Sequence, residues 1–129
     1  MMVKFKFPAI IFYVDRVKKG KGYIVQGKAM GPIIVIGKLY VRDHGLLAHE
    51  YTHVKEWWTN GLLIHNILYG ANKHYRLNSE CKAYYEQWLL GEKTEIKKQD
   101  FTNRIWLFYN LKYPREYIEQ YFYKFFPKP

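Results

Sequence analysis

Two histidines separated by three residues constrain this chain more than any other feature. His49, Glu50 and His53 form an H-E-x-x-H pattern within the run GLLAHEYTHVKEWW. If residues 45–58 are helical, both imidazoles project from one face, because they are about one turn apart. They can then bind one Zn²⁺ together, with the Glu50 carboxylate beside them to accept a proton from water. The rest of the chain must either build this site or contradict it.

The motif segment has the periodicity of a helix with two distinct faces. One stripe is apolar, at spacings of four, three and four residues: Leu47, Tyr51, Val54 and Trp58. A neighbouring stripe carries the motif, and the mostly polar remainder includes Thr52 and Glu56. We expect the apolar stripe to pack on a sheet while the motif stripe carries a site. Asp43 is suited to cap the start of this helix, and Gly61 to end it in a left-handed conformation.

The first third of the chain predicts a small β-sheet of three strands. β-Branched and aromatic residues dominate segments 9–17, 23–26 and 33–36, with 39–41 as a candidate extension. Glycines and lysines at 18–22 indicate a hairpin turn, and the glycines and proline of 27–32 indicate a second connection. The apolar run 7–14 is short and lacks a small-residue cleavage site. It therefore predicts a strand rather than a signal peptide.

The remainder of the chain predicts helices. Residues 62–69 indicate a short helix or helical turn, and 73–78 a connection. Three longer helices are expected at about 79–90, 94–110 and 114–125. The apolar stripe of the helix at 94–110 contains Phe101, Ile105 and Phe108. That of the helix at 114–125 contains Tyr117 or Ile118, with Tyr121, Phe122 and Phe125. The predicted fold class is α+β in a single domain, residues 1–129, with a small N-terminal β-sheet followed by the motif helix and three further helices.

Charge and composition limit the classes of partner. Lys and Arg outnumber Asp and Glu by 21 to 11, a net charge of +10. Such a surface attracts polyanions, namely nucleic acid, anionic lipid or an acidic polymer, or is simply solvated. The basic residues are scattered and form no recognisable nucleic-acid-binding motif, so a nucleic-acid-binding protein is the less favoured alternative. Cys81 is the only cysteine, which excludes an internal disulfide and suits a cytoplasmic protein. We expect Cys81 to be a small buried residue rather than a metal ligand. No segment approaches the ~18 apolar residues of a membrane span.

A catalytic zinc site needs a third protein ligand and one position left for water. A third histidine six residues after the second is absent, because that position is Thr59. The candidates are Asp43, His65, His74, Glu80 and Glu86. Asp43 is better placed as a helix cap, and His65 and His74 lie on less certain elements. Glu80 is preferred, because it stands on a predicted helix whose Ala83 allows close approach to the motif helix.

The motif followed by a helical glutamate resembles the gluzincin branch of the zinc peptidases. HEYTHVKEWW and NSECKAYY are similar to the small single-domain members found among phage and prophage proteins, over residues 33–90. The resemblance implies a phage association, zinc ligation by His49, His53 and Glu80, and Glu50 as the general base. Gluzincins often support a ligand histidine with an Asp four residues after the ligand Glu. That position is Tyr84 here, so the support must differ, or the third ligand is another residue.

The implied reaction is hydrolysis of a peptide or protein substrate, which also needs a donor to the developing oxyanion. Tyr84, Tyr85, His74 and His65 are the candidates for that donor or for supporting a ligand, and core packing is the competing role for both tyrosines. An alternative function is a catalytically weak or inactive zinc-binding protein of the same fold that acts as a binding module.

Overall fold

The N-terminal third forms a mixed β-sheet that supports the motif helix. The computed structural model describes residues 2–6, 9–19, 23–61 and 63–128. Four strands pair in the order β1-β2-β6-β5: β1 Met2–Lys6, β2 Ala9–Val14, β6 Ile33–Gly37 and β5 Gly27–Met30. β2 and β6 are parallel, with Ile10 opposite Ile33, while β1 and β5 are antiparallel to their neighbours. β3 Val17–Lys19 and β4 Tyr23–Val25 form a separate two-stranded sheet.

One face of the larger sheet is the floor of the first core. Alternate residues of the central strands point inward, because side chains alternate across a strand. They pack against the motif helix in a buried cluster of Ala9, Ile11, Tyr13, Ile34, Ile36, Leu46 and Val54. The sheet therefore fixes the position of the motif helix through its aliphatic face.

The strand predictions are right in part. The predicted strand at 9–17 divides at Asp15, which is exposed and pairs with Lys38 at 2.9 Å. The predicted turn at 18–22 lies partly outside the described residues, which omit 20–22. Residues 27–32 are predicted as a connection but contain β5, and 39–41 lies largely in a 3₁₀ helix, Lys38–Tyr40, rather than in a strand. Pairing with β6 overrides the low strand propensity of the Gly27–Met30 segment.

Five α-helices lie within the described residues, and the α+β class is confirmed. They are α1 His44–Asn60, α2 Ile64–Ala71, α3 Lys73–Leu90, α4 Glu95–Phe108 and α5 Arg115–Tyr123. None of these helices combines the length and apolar composition that crossing a bilayer requires.

The helix ends follow side-chain caps. Asp43 caps α1, as predicted, by accepting a hydrogen bond from the Leu46 amide at 2.9 Å. The predicted connection at 73–78 is wrong, because Asn72 caps α3 through the Tyr75 amide and starts that helix at Lys73. Gly61 follows α1 with a positive φ of 97°, but its ψ of 152° is extended rather than left-handed helical.

α1 is covered on two sides, by the sheet and by α3. The prediction that Trp58 packs on the sheet is wrong, since it is 50% exposed. Thr52 and Glu56, on the face expected to be mostly polar, are instead buried. The helix pair α1–α3 has the most extensive contact of any two described elements, so Thr52 and Glu56 lie in the protein interior while Lys55 on the same helix stays exposed.

A second core, built largely from rings, lies behind α3. Its buried members are Leu77, Cys81, Tyr84, Phe101, Ile105, Leu111, Ile118, Phe122 and Phe126. Cys81 is buried as expected, and burial raises the pKa of its thiol. The prediction that Phe108 belongs to this core is wrong, because its side chain is 66% exposed. Of the alternatives in the last helix, Ile118 is buried and Tyr117 is exposed.

The close approach of α1 to α3 depends on Gly45. A Cβ at this position would lie 2.9 Å from the backbone oxygen of Gln87. We expect Gly45→Ala to lower the free energy of unfolding by about 1–3 kcal/mol, despite the better helix propensity of alanine, because backbone atoms would have to move. Chemical denaturation measures this change.

Gly70 on α2 provides the matched control, since a Cβ there would meet nothing within 4 Å. Gly70→Ala should leave the free energy of unfolding unchanged or raise it by up to about 1 kcal/mol. If Gly45→Ala is as stable as the parent chain, the described helix spacing is contradicted.

Candidate metal centre

The three predicted metal ligands meet at one point between α1 and α3. His49 Nε2 lies 3.3 Å from Glu80 Oε1, and His53 Nε2 lies 3.2 Å from Glu80 Oε2. One donor atom from each residue falls within 4.8 Å of the others. Glu80 is only 1% exposed and His49 only 4%. These residues could therefore hold a metal ion.

The separations suit a shared divalent ion. With bonds of about 2.0–2.2 Å in tetrahedral geometry, two ligands of one zinc ion stand about 3.3–3.6 Å apart. A direct hydrogen bond between an imidazolium and a carboxylate is shorter, at about 2.7–2.9 Å. The distances of 3.3 Å and 3.2 Å from Glu80 to His49 and His53 lie near the lower end of the range for shared ligands. Two imidazole nitrogens and a carboxylate oxygen are also donor types that divalent transition metals accept.

The charge balance of the cluster also favours a cation. Glu50, Glu56 and Glu80 are all buried beside the two histidines. Burial opposes ionisation of Glu80, but the His53 and His49 imidazoles hold the pKa of its carboxyl well below the usual range. Burial likewise opposes a charge on His53, yet the carboxylates of Glu80, Glu56 and Glu50 raise its pKa well above normal. Lys82, whose Nζ lies 3.9 Å from Glu56 Oε2, offsets part of this negative charge. A cation bound between neutral imidazoles would compensate the carboxylates that remain, whose charge is otherwise costly to bury.

A chain of hydrogen bonds orients His53. Ser79 donates its hydroxyl proton to Glu56 Oε1 at 2.6 Å, and His53 Nδ1 lies 3.1 Å from Ser79 Oγ. Because the serine proton is already used, Ser79 Oγ accepts from His53 Nδ1–H. The lone pair of the neutral imidazole then lies on Nε2, the atom that faces Glu80. Glu56 and Ser79 thus hold the His53 ring in one orientation.

Tyr69 of α2 supports the third ligand and was not identified from the sequence. Its hydroxyl donates to Glu80 Oε2. Burial, with the nearby Glu80 carboxylate, raises the pKa of the phenol well above its normal value, which keeps Tyr69 a neutral donor. The Ile64–Ala71 segment gave only a weak helical pattern, and nothing in it indicated which face meets the site. Glu56 carried a clearer signal, since it follows His53 by three residues on the same helix.

The remaining predicted site residues form two groups, and the first group, Tyr84 and His65, lies close to the motif. Tyr84 packs edge-on against His49, with ring centroids 4.3 Å apart, and its hydroxyl lies 2.8 Å from that of Tyr109. His65 lies beside the motif, lining the cleft described below, and its Nδ1 lies 2.7 Å from the Tyr75 hydroxyl.

The second group lies away from the motif. Tyr85 packs on Phe126 in the aromatic core, and His74 packs on Tyr121 of α5. Asp43 caps α1, and neither Asp43 nor Glu86 belongs to the cluster found among the described residues.

A cleft of about 1130 Å³ opens over the motif. One wall is the edge strand β5, and the other is α4, through Asp100, Asn103, Arg104, Leu107 and Phe108. Glu50 lines the cleft with its Oε1 3.8 Å from His49 Nε2. Phe108 is thus a wall of the cleft, which explains its exposure. α4 thus supplies a wall of the cleft that the sequence pattern did not indicate.

No protein-family model, curated protein or solved structure matches this chain. Its function is therefore inferred from the geometry of the site.

The cluster predicts metal binding that depends on Glu80. We expect about one divalent ion per chain in untagged protein, and loss of that ion in Glu80→Ala. Glu86→Ala, on the same helix but outside the cluster, should keep the metal. Elemental analysis after extensive dialysis measures both. Equal metal content in the two variants would contradict the assignment.

The hydrogen-bond chain through Ser79 predicts a graded effect on affinity. Ser79→Ala leaves all three candidate ligands but removes the partner of His53 Nδ1, so metal affinity should fall by roughly 10–100-fold. Thr52→Val is the control, because it removes another buried hydroxyl of this helix pair, which donates to the Ala48 carbonyl at 2.8 Å. Competition with a chromogenic chelator gives the affinities. A loss in Ser79→Ala no larger than in Thr52→Val would show that this contact does not orient His53.

Proposed function

We propose that this chain is a zinc-dependent peptidase of the small gluzincin-like type, with His49, His53 and Glu80 as zinc ligands and Glu50 as general base. The observation that carries the proposal is the convergence of these residues at the floor of one cleft. The resemblance carried by HEYTHVKEWW and NSECKAYY supports the same assignment.

The number and type of donors favour a catalytic rather than a structural zinc site. Structural zinc sites are usually closed by four protein ligands, whereas catalytic sites use three and leave a position for water. Within the part of the chain that is described, the cluster contains three donor residues. The cleft that opens over them would give water and a substrate access to a metal held by these residues.

The metal and the residues around it would have different roles in the reaction. When bound, zinc supplies a Lewis acid that acidifies water and polarises a carbonyl group. Glu50 takes a proton from the attacking water on its carboxylate and returns it to the leaving amine. Glu56 and Ser79 hold His53 in orientation, and Tyr69 holds Glu80.

The Tyr84–Tyr109 pair is the candidate donor to a developing oxyanion, and because the two hydroxyls bond each other at 2.8 Å, one of them at a time can donate outward. Both residues line the cleft, and burial raises the pKa of both phenols, so they stay protonated. A neutral hydroxyl donor in a partly dry cleft stabilises negative charge that develops during the reaction.

The walls of the cleft suit an extended peptide. β5 is the edge strand of the larger sheet and lines the cleft along Gly27–Met30. Peptides bind edge strands by adding a further strand through main-chain hydrogen bonds. Met30, Leu107 and Phe108 are exposed apolar residues of the cleft walls, and they offer contacts for apolar side chains of such a peptide.

The proposal predicts that Glu50→Gln separates metal binding from hydrolysis. The variant should keep the metal content of the parent chain and lose at least about 10²-fold in cleavage rate, because an amide cannot accept the proton. A quenched fluorescent, unfolded protein substrate measures the rate, and elemental analysis measures the metal.

Glu86→Gln serves as the control and should retain both properties. Cleavage by Glu50→Gln at the parent rate would contradict the role of Glu50. Metal binding without any cleavage by the parent chain would instead identify a zinc-binding module.

A further inference from the structure

The turn between α1 and α2 presents large apolar side chains to solvent. Trp58, Leu63, Ile64 and Ile67 are 50%, 73%, 58% and 63% exposed, respectively, and are called the α1–α2 tip below. Large apolar side chains gathered in one short segment, rather than scattered singly, indicate an interaction surface.

The tip lies in the longest uncharged stretch of a strongly basic chain. Residues 57–72 contain no Asp, Glu, Lys or Arg, although the net charge of the chain is +10. The stretch contains tryptophan, leucine and isoleucine, the residue types that enter the interfacial region of a bilayer.

The orientation of α2 explains why its apolar side chains face outward. Its buried side belongs to the metal centre and its surroundings, through His65 and Tyr69. Leu63, Ile64 and Ile67 lie on the other side of this helix. The polar contacts of the site thus turn the apolar side of α2 toward solvent, the reverse of an ordinary surface helix.

The exposed charged side chains that are near the tip in sequence are basic. Between residues 44 and 85 the acidic side chains are Glu50, Glu56 and Glu80, and all three are buried. Lys55, on the last turns of α1, and Lys73, directly after α2, are exposed. An apolar tip is therefore flanked by basic residues, with no exposed carboxylate in the described part of this segment.

We propose that the α1–α2 tip docks on the surface of an anionic lipid bilayer. The apolar side chains enter the boundary between headgroups and acyl chains, while Lys55 and Lys73 lie near anionic headgroups. A second copy of the chain fits this surface less well, because two molecules of charge +10 repel each other, whereas an anionic bilayer attracts the chain.

Docking through this tip would place the cleft beside the membrane. Asn66, Tyr69 and Gly70, on the same short helix, line the cleft. The tip contains none of the candidate metal ligands, so its binding to lipid can be measured independently of catalysis.

Co-sedimentation of the full chain with vesicles tests the proposal. The vesicles are phosphatidylcholine alone, or phosphatidylcholine mixed with phosphatidylglycerol. We expect binding to the anionic vesicles, weaker binding in high salt, and at least about a tenfold loss of affinity in the double variant Leu63→Gln, Ile67→Gln. The matched control, Leu39→Gln with Ile96→Gln, alters residues that are 90% and 81% exposed elsewhere, and should change the affinity by no more than about twofold.

Circular dichroism establishes that both double variants keep the fold. Equal vesicle affinity in the two variants would overturn the proposal, because binding would then arise from net charge alone. Failure of the parent chain to bind anionic vesicles would also overturn it. In that case a concentration-dependent dimer that the tip variant abolishes would assign the surface to self-association.

Discussion

The burial of the Glu80 carboxylate between two imidazoles is the interaction on which the rest of this structure depends. It brings α1 and α3 together through polar groups, whereas most helix pairs meet through apolar ones. Gly45 permits that approach, and the chain from Glu56 through Ser79 to His53 satisfies the remaining polar atoms of one ligand. Glu50 and Glu80 are buried here beside imidazoles that must be neutral to bind a metal, so a bound cation would compensate these carboxylates and couple metal binding to the packing of the two helices.

The other elements are arranged around this helix pair. The sheet holds α1 from the opposite side through an aliphatic core, and its edge strand β5 becomes one wall of the cleft. The aromatic core behind α3 positions α4, which becomes the other wall. α2 directs Tyr69 toward Glu80 and leaves Leu63, Ile64 and Ile67 exposed. The described part of this 129-residue chain thus forms a cleft with a strand as one wall and a helix as the other.

The fold class and the three converging donors could be predicted because they rest on local patterns. The spacing of His49 and His53 is a property of one helix, and Glu80 stood on the next strong helical pattern. What failed depended on tertiary contacts. Phe108 has the spacing of a core residue but faces the cleft, and the Gly27–Met30 strand exists because β6 pairs with it. Tyr69 reaches Glu80 only because α2 packs against α1 and α3. The residue pattern of such a short helix does not indicate how the helix is oriented relative to its neighbours.

The most direct test of the account is the coordination sphere of the metal-loaded protein, determined by crystallography together with X-ray absorption. The account predicts two imidazole nitrogens, from His49 and His53, at about 2.0–2.1 Å, a carboxylate oxygen from Glu80, and a fourth position held by water. A fourth protein ligand, a sulfur at about 2.3 Å, or His65 in place of Glu80 would contradict it.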